Sequence, residues 1–272
     1  MTREEKLQAV LAKKEYTAAD LVTIVELLRL PGGCPWDMEQ THSSIRNDLI
    51  EETYEVIEAI DADDPVLLRE ELGDVLLQVV MHAQMEREAG RATFDEIAGD
   101  VCRKMIHRHP HVFGEVVVAD TAEVLRNWEK IKSDEKERIT VSDKLHAIPR
   151  QLPALMRAAK VGKKAALLDF PDTASVLDKV HEELAEVEGA IAAGDAAAIA
   201  EELGDLLLSV ASLSRFVGVD AERALSDATD KFIARFSAVE EAAHKKGTSL
   251  AEMTLEEREK LWQNIKKINK NY

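Results

Sequence analysis

Apolar positions recur at helical spacing along nearly the whole chain, and the breaks between them mark the helix ends. After a polar lead-in over residues 1–16, Thr17 with Asp20 reads as a capped start. Leu21, Ile24, Val25 and Leu28 then lie three to four residues apart, which predicts a helix through Leu30. Pro31-Gly32-Gly33-Cys34-Pro35 ends it as a turn-rich loop. Leu49, Val56, Ile57 and Ile60 predict a second helix over about 44–60. Asp64 as a cap and Pro65 in the first turn restart the chain. Leu68, Leu72, Val75, Leu76, Val79 and Ala83 then form one face of a helix over about 65–89 that Gly90 stops. Thr93 with Glu96 caps a helix to about Arg108, residues 109–114 read as a loop, and Val116-Val117-Val118 reads as a short extended piece. Asp120 with Glu123 caps a helix that carries Trp128.

The second half repeats the plan. Residues 132–152 combine a charge run with Pro149 and, just beyond, Pro153, and read as a linker. Helices follow over about 154–168, 173–192 and 196–216, with Phe170-Pro171-Asp172 and Gly194-Asp195 as turns. Asp220 caps a helix to about His244, and Thr254 with Glu257 caps a last one carrying Trp262. The expected fold is therefore all-α, two tandem helical-bundle repeats, with an N-terminal domain over 1–135, a linker over 136–152 and a C-terminal domain over 153–272. An aromatic share of only 4%, against abundant Leu, Ala, Val, Glu and Lys, favours helix over sheet in the same way.

Charge adds chemistry to this frame. Glu51-Glu52-Thr53-Tyr54-Glu55 is followed by Glu71-Leu72-Gly73-Asp74. The pattern returns 131 residues later as Glu182-Glu183-Leu184-Ala185-Glu186 and Glu202-Leu203-Gly204-Asp205. On a helix, positions i, i+3 and i+4 share a face, so each cassette gathers carboxylates on two helices joined by a short turn. A single acidic pattern of this kind reads as a solvated face. Its recurrence at one fixed offset points instead to a site for a hard divalent cation, because like charges so placed repel and need a counterion. Gly73 and Gly204 cost helix stability where they stand, which suggests close packing or the approach of a ligand. The formal net charge of −17 argues against stable nucleic-acid binding. Cys34 and Cys102 have no zinc spacing and read as reduced thiols of a cytoplasmic protein. No signal peptide or membrane-spanning run is present in the pattern.

These residues resemble the MazG family, the tandem-domain nucleoside triphosphate pyrophosphohydrolases of bacteria. The resemblance covers nearly the whole chain. It is carried by Gly32-Gly33-Cys34-Pro35-Trp36-Asp37, Gln40-Thr41-His42, both cassettes, Arg108-His109-Pro110-His111-Val112-Phe113, Ile148-Pro149-Arg150 and Lys231-Phe232-Ile233-Ala234-Arg235-Phe236. It implies a homodimeric all-α enzyme that splits nucleoside triphosphates into monophosphate and pyrophosphate with Mg²⁺, for which Mn²⁺ is a substitute. The family's metal-ligand motif falls on Glu52, Glu55, Glu71 and Asp74, and again on Glu183, Glu186, Glu202 and Asp205.

Lys104 with Arg108, and Lys231 with Arg235, each place two cations on one helix face after a cassette, suited to a triphosphate. Trp128 and Trp262 close the two halves, either as base-stacking platforms, worth about 1–3 kcal/mol, or as packing anchors. Lys163-Lys164 also lies where phosphate is expected, whereas Pro171 stands where the family pattern has a second aromatic residue after Phe170. A spare glutamate, Glu51 or Glu182, or the neighbouring Glu70 or Glu201, is the candidate to orient or deprotonate the attacking water. His107, His109 and His111 are interrupted by Pro110 and read as a structural loop. Glu241 and His244 form a Glu-x-x-His, whereas a di-metal oxidase bundle needs two of these on facing helices. That oxidase and a non-enzymatic helical interaction protein are the rival readings. The second half is favoured for hydrolysis, because Lys231, Arg235 and Trp262 follow its cassette with little insertion.

Overall fold

Side-chain caps start the helices where the sequence places them. Asp20 Oδ2 accepts from Thr17 N at 2.9 Å, Glu96 Oε2 from Thr93 N at 2.7 Å and Glu257 Oε2 from Thr254 N at 2.8 Å. Each satisfies a backbone donor that a helix end leaves orphaned. The structure is a computed structural model that describes residues 1–135 and 140–268. Residues 136–139 of the expected linker, and 269–272 at the chain end, lie outside the described residues. Fourteen α-helices and one 3-10 turn are present, with no strand among the described residues. None of these helices is long and apolar enough to cross a membrane. Cys34 and Cys102 are free thiols.

The chain divides into two units, Met1–Lys132 and Ser133–Tyr272. Unit 1 begins with α1 (Arg3–Leu11), so the polar lead-in is helical, held at its start by Thr2 and Glu5. It continues with α2 (Ala18–Arg29), α3 (Pro35–Glu39), α4 (Arg46–Asp61), α5 (Pro65–Glu88), α6 (Phe94–Arg108) and α7 (Pro110–Phe113), and runs into α8 (Thr121–Glu135). Two of these differ from the expected loops. Pro35 and Pro110 each occupy the first turn of a short helix, where proline's fixed φ is already helical. Val116-Val117-Val118 pairs with no strand. Gly33 is required where the chain leaves α2, because a Cβ there would meet the Leu28 carbonyl oxygen at 2.2 Å.

The core of unit 1 is Val25, Ile45, Val80, Met81 and Met85, flanked by Leu21, Val22, Leu77 and Phe94. The buried side of α5 therefore differs from the expected stripe. Val80, Met81, Ala83 and Met85 are buried with Gln78 and Gln84, whereas Leu72 is 51% exposed and Leu76 and Val79 are also open. The apolar stripe at this end of α5 faces away from its own core.

Unit 2 contains α9 (Val141–His146), α10 (Ala154–Lys164), a 3-10 turn (Ala166–Leu168), α11 (Thr173–Ala193), α12 (Ala196–Phe216), α13 (Ala221–Lys245) and α14 (Leu255–Ile268). The segment read as a linker thus carries a helix of its own, α9, started by Thr140 and Asp143. Val239, Ala243, Met253 and Leu261 form one core cluster between α13 and α14. Val176 is fully buried at the start of α11, 131 residues after the buried Ile45 that precedes α4.

The two helix hairpins match in their turns as well. In α4–α5, Asp63 adopts φ +52° and Asp64 accepts from Val66 N and Leu67 N at 2.9 and 3.1 Å. In α11–α12, Gly194 has φ +69° and Asp195 accepts from Ala197 N and Ala198 N at 3.0 and 3.2 Å. A left-handed residue followed by an aspartate cap reverses the chain within three residues, so the two helices pack side by side.

Candidate active site

Each hairpin brings three carboxylates together. In unit 1, oxygens of Glu52, Glu55 and Glu71 all lie within 4.8 Å of one another; in unit 2, those of Glu183, Glu186 and Glu202 do the same. Loss of solvent contact, then a hydrogen bond with Glu55 and the charges of Asp74, Glu55 and Glu71, push the Glu52 carboxyl above its ordinary range. Glu71 is pushed up likewise, by desolvation and by Glu55, Glu70 and Asp74. Asp74 thus stands close enough to act on the group without joining its three-way cluster. In unit 2, desolvation and the neighbouring Glu183 and Glu202 push Glu186 up, against an opposing effect of Lys179. Asp205 is exposed on α12 and is not one of the three clustered carboxylates. Glu51, Glu70, Glu182 and Glu201 are exposed.

Lys179 enters here without having been singled out in the sequence. Its Nζ lies 2.8 Å from Glu182 and 2.7 Å from Glu183, and these partners push its pKa up. Glu183 is only 4% exposed, and its Oε2 is enclosed without a partner. The spacing i, i+3 and i+4 from Lys179 was the available signal.

Gly73 and Gly204 are corrections to the expectation of close packing. Both are exposed, and a Cβ at either would meet nothing within 4 Å.

The basic and aromatic residues fall differently in the two units. Arg108 is buried, its guanidinium 5.4 Å over the Trp128 ring, and His109 meets that ring edge-on at 4.8 Å. Lys104 is exposed on the same helix. In unit 2, Lys231 is exposed, and Arg235 is half-buried with its Nε enclosed and unpartnered among the described residues. Trp262 packs on Phe232 with ring centres 5.2 Å apart and lines an apolar cleft of about 270 Å³ with Phe236, Val239, Leu250 and Leu255. Lys163 is exposed and Lys164 half-buried at the end of α10. Phe170 packs edge-on against Phe216 at 6.4 Å. Glu241 pairs with Lys245 at 2.7 Å.

A second polar node also escaped sequence reading. His42 Nδ1 and His82 Nδ1 are 2.7 Å apart, and His42 Nε2 lies 2.9 Å from Glu86, which also binds Arg91. The node fastens the loop before α4 to the far end of α5.

The MazG nucleotide pyrophosphohydrolase domain matches the chain twice, over residues 40–113 and 172–239. Each match contains one carboxylate group and the basic pair that follows it. The chain is also 44% identical over 252 residues to the nucleoside triphosphate pyrophosphohydrolase of Escherichia coli, covering 91% of this chain and 96% of that protein. The chain belongs to the MazG nucleotide pyrophosphohydrolase family. A MazG family member of Thermotoga maritima, a nucleoside triphosphate pyrophosphohydrolase/pyrophosphatase, is 43% identical over 249 residues, 91% of this chain and 94% of its own. The uncharacterized protein YabN of Bacillus subtilis is 43% identical over 251 residues, which is 91% of this chain but 51% of that longer one. Trp128 and Trp262 both lie outside the matched family segments.

Proposed function

We propose that the protein hydrolyses nucleoside triphosphates to nucleoside monophosphate and pyrophosphate, using Mg²⁺, or Mn²⁺ in its place. The observation that carries this is a three-carboxylate group on neighbouring helices, built twice in a chain of this family. The donors suit a hard divalent cation: all are oxygens, loss of solvent and the crowded carboxylates favour the acid forms of Glu52, Glu71 and Glu186, and Glu183 Oε2 is buried with no partner of its own. Glu52, Glu55, Glu71 and Asp74 would hold the ion in unit 1, and Glu183, Glu186, Glu202 and Asp205 in unit 2. Bound there, it supplies charge neutralisation on phosphate oxygens.

The remaining work belongs to the chain's own side chains. Lys231 and Arg235 hold the phosphates in unit 2, whereas in unit 1 Lys104 is open to phosphate and Arg108 is buried against Trp128. An exposed glutamate takes the proton of the water that attacks the α-phosphorus, Glu201 or Glu182 in unit 2 and Glu70 or Glu51 in unit 1. Glu182 already binds Lys179, which favours Glu201. Trp262 borders an open apolar cleft wide enough for a base, whereas Trp128 is covered by Arg108 and His109. Unit 2 is accordingly the hydrolytic one.

The open apolar residues of the hairpins, Leu72, Leu76 and Val79 on α5 and Leu203, Leu207 and Val210 on α12, fit a homodimer. Its mass in light scattering should be twice the 30.2 kDa of one chain. With its acidic surface the protein acts on free nucleotides in the cytoplasm rather than on nucleic acid. Pyrophosphate release from mixed nucleotides, with and without Mg²⁺, tests the activity. Glu202→Gln should abolish release and Glu71→Gln should spare most of it. Release that is independent of Mg²⁺ would refute the carboxylate site, and loss only in Glu71→Gln would move the chemistry to unit 1.

A further inference from the structure

The two carboxylate groups are built alike but for one charge. At the fixed offset of 131 residues, Glu52, Glu55 and Glu71 correspond to Glu183, Glu186 and Glu202, whereas Asp48 corresponds to Lys179. Position 48 stands four residues before Glu52 and position 179 four before Glu183, one helical turn along the same face. The charges that act on Glu52 and Glu71 are all carboxylates. In unit 2, Lys179 Nζ contacts Glu182 and Glu183 at 2.8 and 2.7 Å, and its charge also reaches Glu186. An ammonium thus already sits on the best-buried carboxylate of the group. The other oxygen of that carboxylate, Glu183 Oε2, is enclosed and unpartnered.

We propose that Lys179 is a resident counterion that keeps the unit 2 group from taking a free divalent cation, so that nucleotide-free protein loads its cation at the unit 1 group alone. The inference rests on the carboxylates being metal ligands, as argued above. It goes beyond that reading by making the two sites unequal, and by naming the residue that makes them so. A divalent ion entering unit 2 must push a unit charge off Glu183, whereas in unit 1 the charges acting on Glu52 and Glu71 are carboxylates alone. The unit 2 group therefore fills with a cation that comes with a nucleotide, whose phosphates bring negative charge of their own.

Mn²⁺ binding to the intact nucleotide-free protein, followed by electron paramagnetic resonance of the free ion and by calorimetry, tests this without any turnover. The expected wild-type result is one tight site per chain, lost in Glu71→Gln and kept in Glu202→Gln. Lys179→Met retains the aliphatic stem and should add a second site, at least about tenfold tighter than any residual unit 2 binding in the wild type. That new site should vanish in Lys179→Met with Glu202→Gln. The reciprocal Asp48→Lys should remove the wild-type site, which keeps the test open should Lys179→Met not fold. Two equal sites in the wild type, or an unchanged count in a folded Lys179→Met, would overturn the proposal. Mn²⁺ binding that neither Glu71→Gln nor Glu202→Gln alters would instead overturn the carboxylate reading on which it stands.

Discussion

Ile45 anchors the start of the helix that carries Glu52 and Glu55. It is 2% exposed and packs in the cluster of Val25, Val80, Met81 and Met85. The α4–α5 hairpin is closed at one end by the turn at Asp63-Asp64 and at the other by this cluster. Glu52 lies seven residues from Ile45, roughly 10 Å along the helix at 1.5 Å per residue. Ile45→Ala deletes three buried carbon groups, about 2.4 kcal/mol of transfer free energy at roughly 0.8 each, and leaves a cavity that raises the cost to about 3 kcal/mol. Val176→Ala, at the matching position of unit 2, deletes two and should cost about 2 kcal/mol. Against a typical domain stability of about 5–15 kcal/mol, neither change unfolds its unit. Hydrogen exchange read by mass spectrometry separates the units. Peptides from α4 and α5 of Ile45→Ala should exchange about a hundredfold faster where exchange requires unfolding, with α11 and α12 unchanged. Val176→Ala should show the reverse pattern, with α11 and α12 about thirtyfold faster and α4 and α5 unchanged. An acceleration below about threefold in α4 and α5, or an equal one in α11 and α12, would refute this account of how the hairpin is held.

Two further outcomes follow from polar contacts of unit 1. The Arg29 side chain is 6% exposed, binds both oxygens of Glu88 at 2.9 and 2.8 Å, and donates to the Asp37 and Gln40 carbonyls. Arg29→Met should therefore cost about 2–3 kcal/mol in urea unfolding, and Arg29→Lys should recover little, since an ammonium cannot span that fork. Partial burial, then the charge of His42, hold the His82 pKa below the ordinary 6.5, with Glu86 opposing. Neutral His82 thus contributes stability that is complete above pH 6.5 and is lost as the pH falls through the folded value. His82→Asn should flatten that slope in unit 1, and a slope unchanged by the substitution would assign it to another group. Asp20 and Glu86, both lowered to about 2, lose their contributions only at more acid pH, below the ordinary carboxylate range.

Local rules were the legible part of this chain. A cap such as Thr93 with Glu96 concerns four neighbouring residues, and the cassettes concern one helix face each, so both can be seen in the sequence. The side of α5 that is buried could not be read in that way. Periodicity shows that Leu72, Leu76 and Val79 form a stripe, but not which surface covers it, and the core took Val80, Met81 and Met85 instead. Gly73 and Gly204 misled because a helical glycine signals close packing without showing whether anything packs there, and both face open space. The short helices at Pro35 and Pro110 were hidden because proline signals a first turn and a break alike. Arg108 reads as a free cation beside Lys104 until the return of α8 places Trp128 under it. Lys179 was available, since comparing the halves residue by residue sets it against Asp48.

The tight turns at Asp63-Asp64 and Gly194-Asp195 bear on the order of events as well as on geometry. Each carboxylate group comes from two helices adjacent in the chain, so it needs no distant segment to arrive before it exists. Contacts this local close quickly, because little loop entropy is lost in making them. The charge repulsion within each group is thus present as soon as its hairpin zips, well before the rest of the unit has docked. In unit 2 the Lys179 ammonium then acts on the rate at which the hairpin forms, and not only on the stability of the finished fold, and a divalent ion bound at either group would do the same.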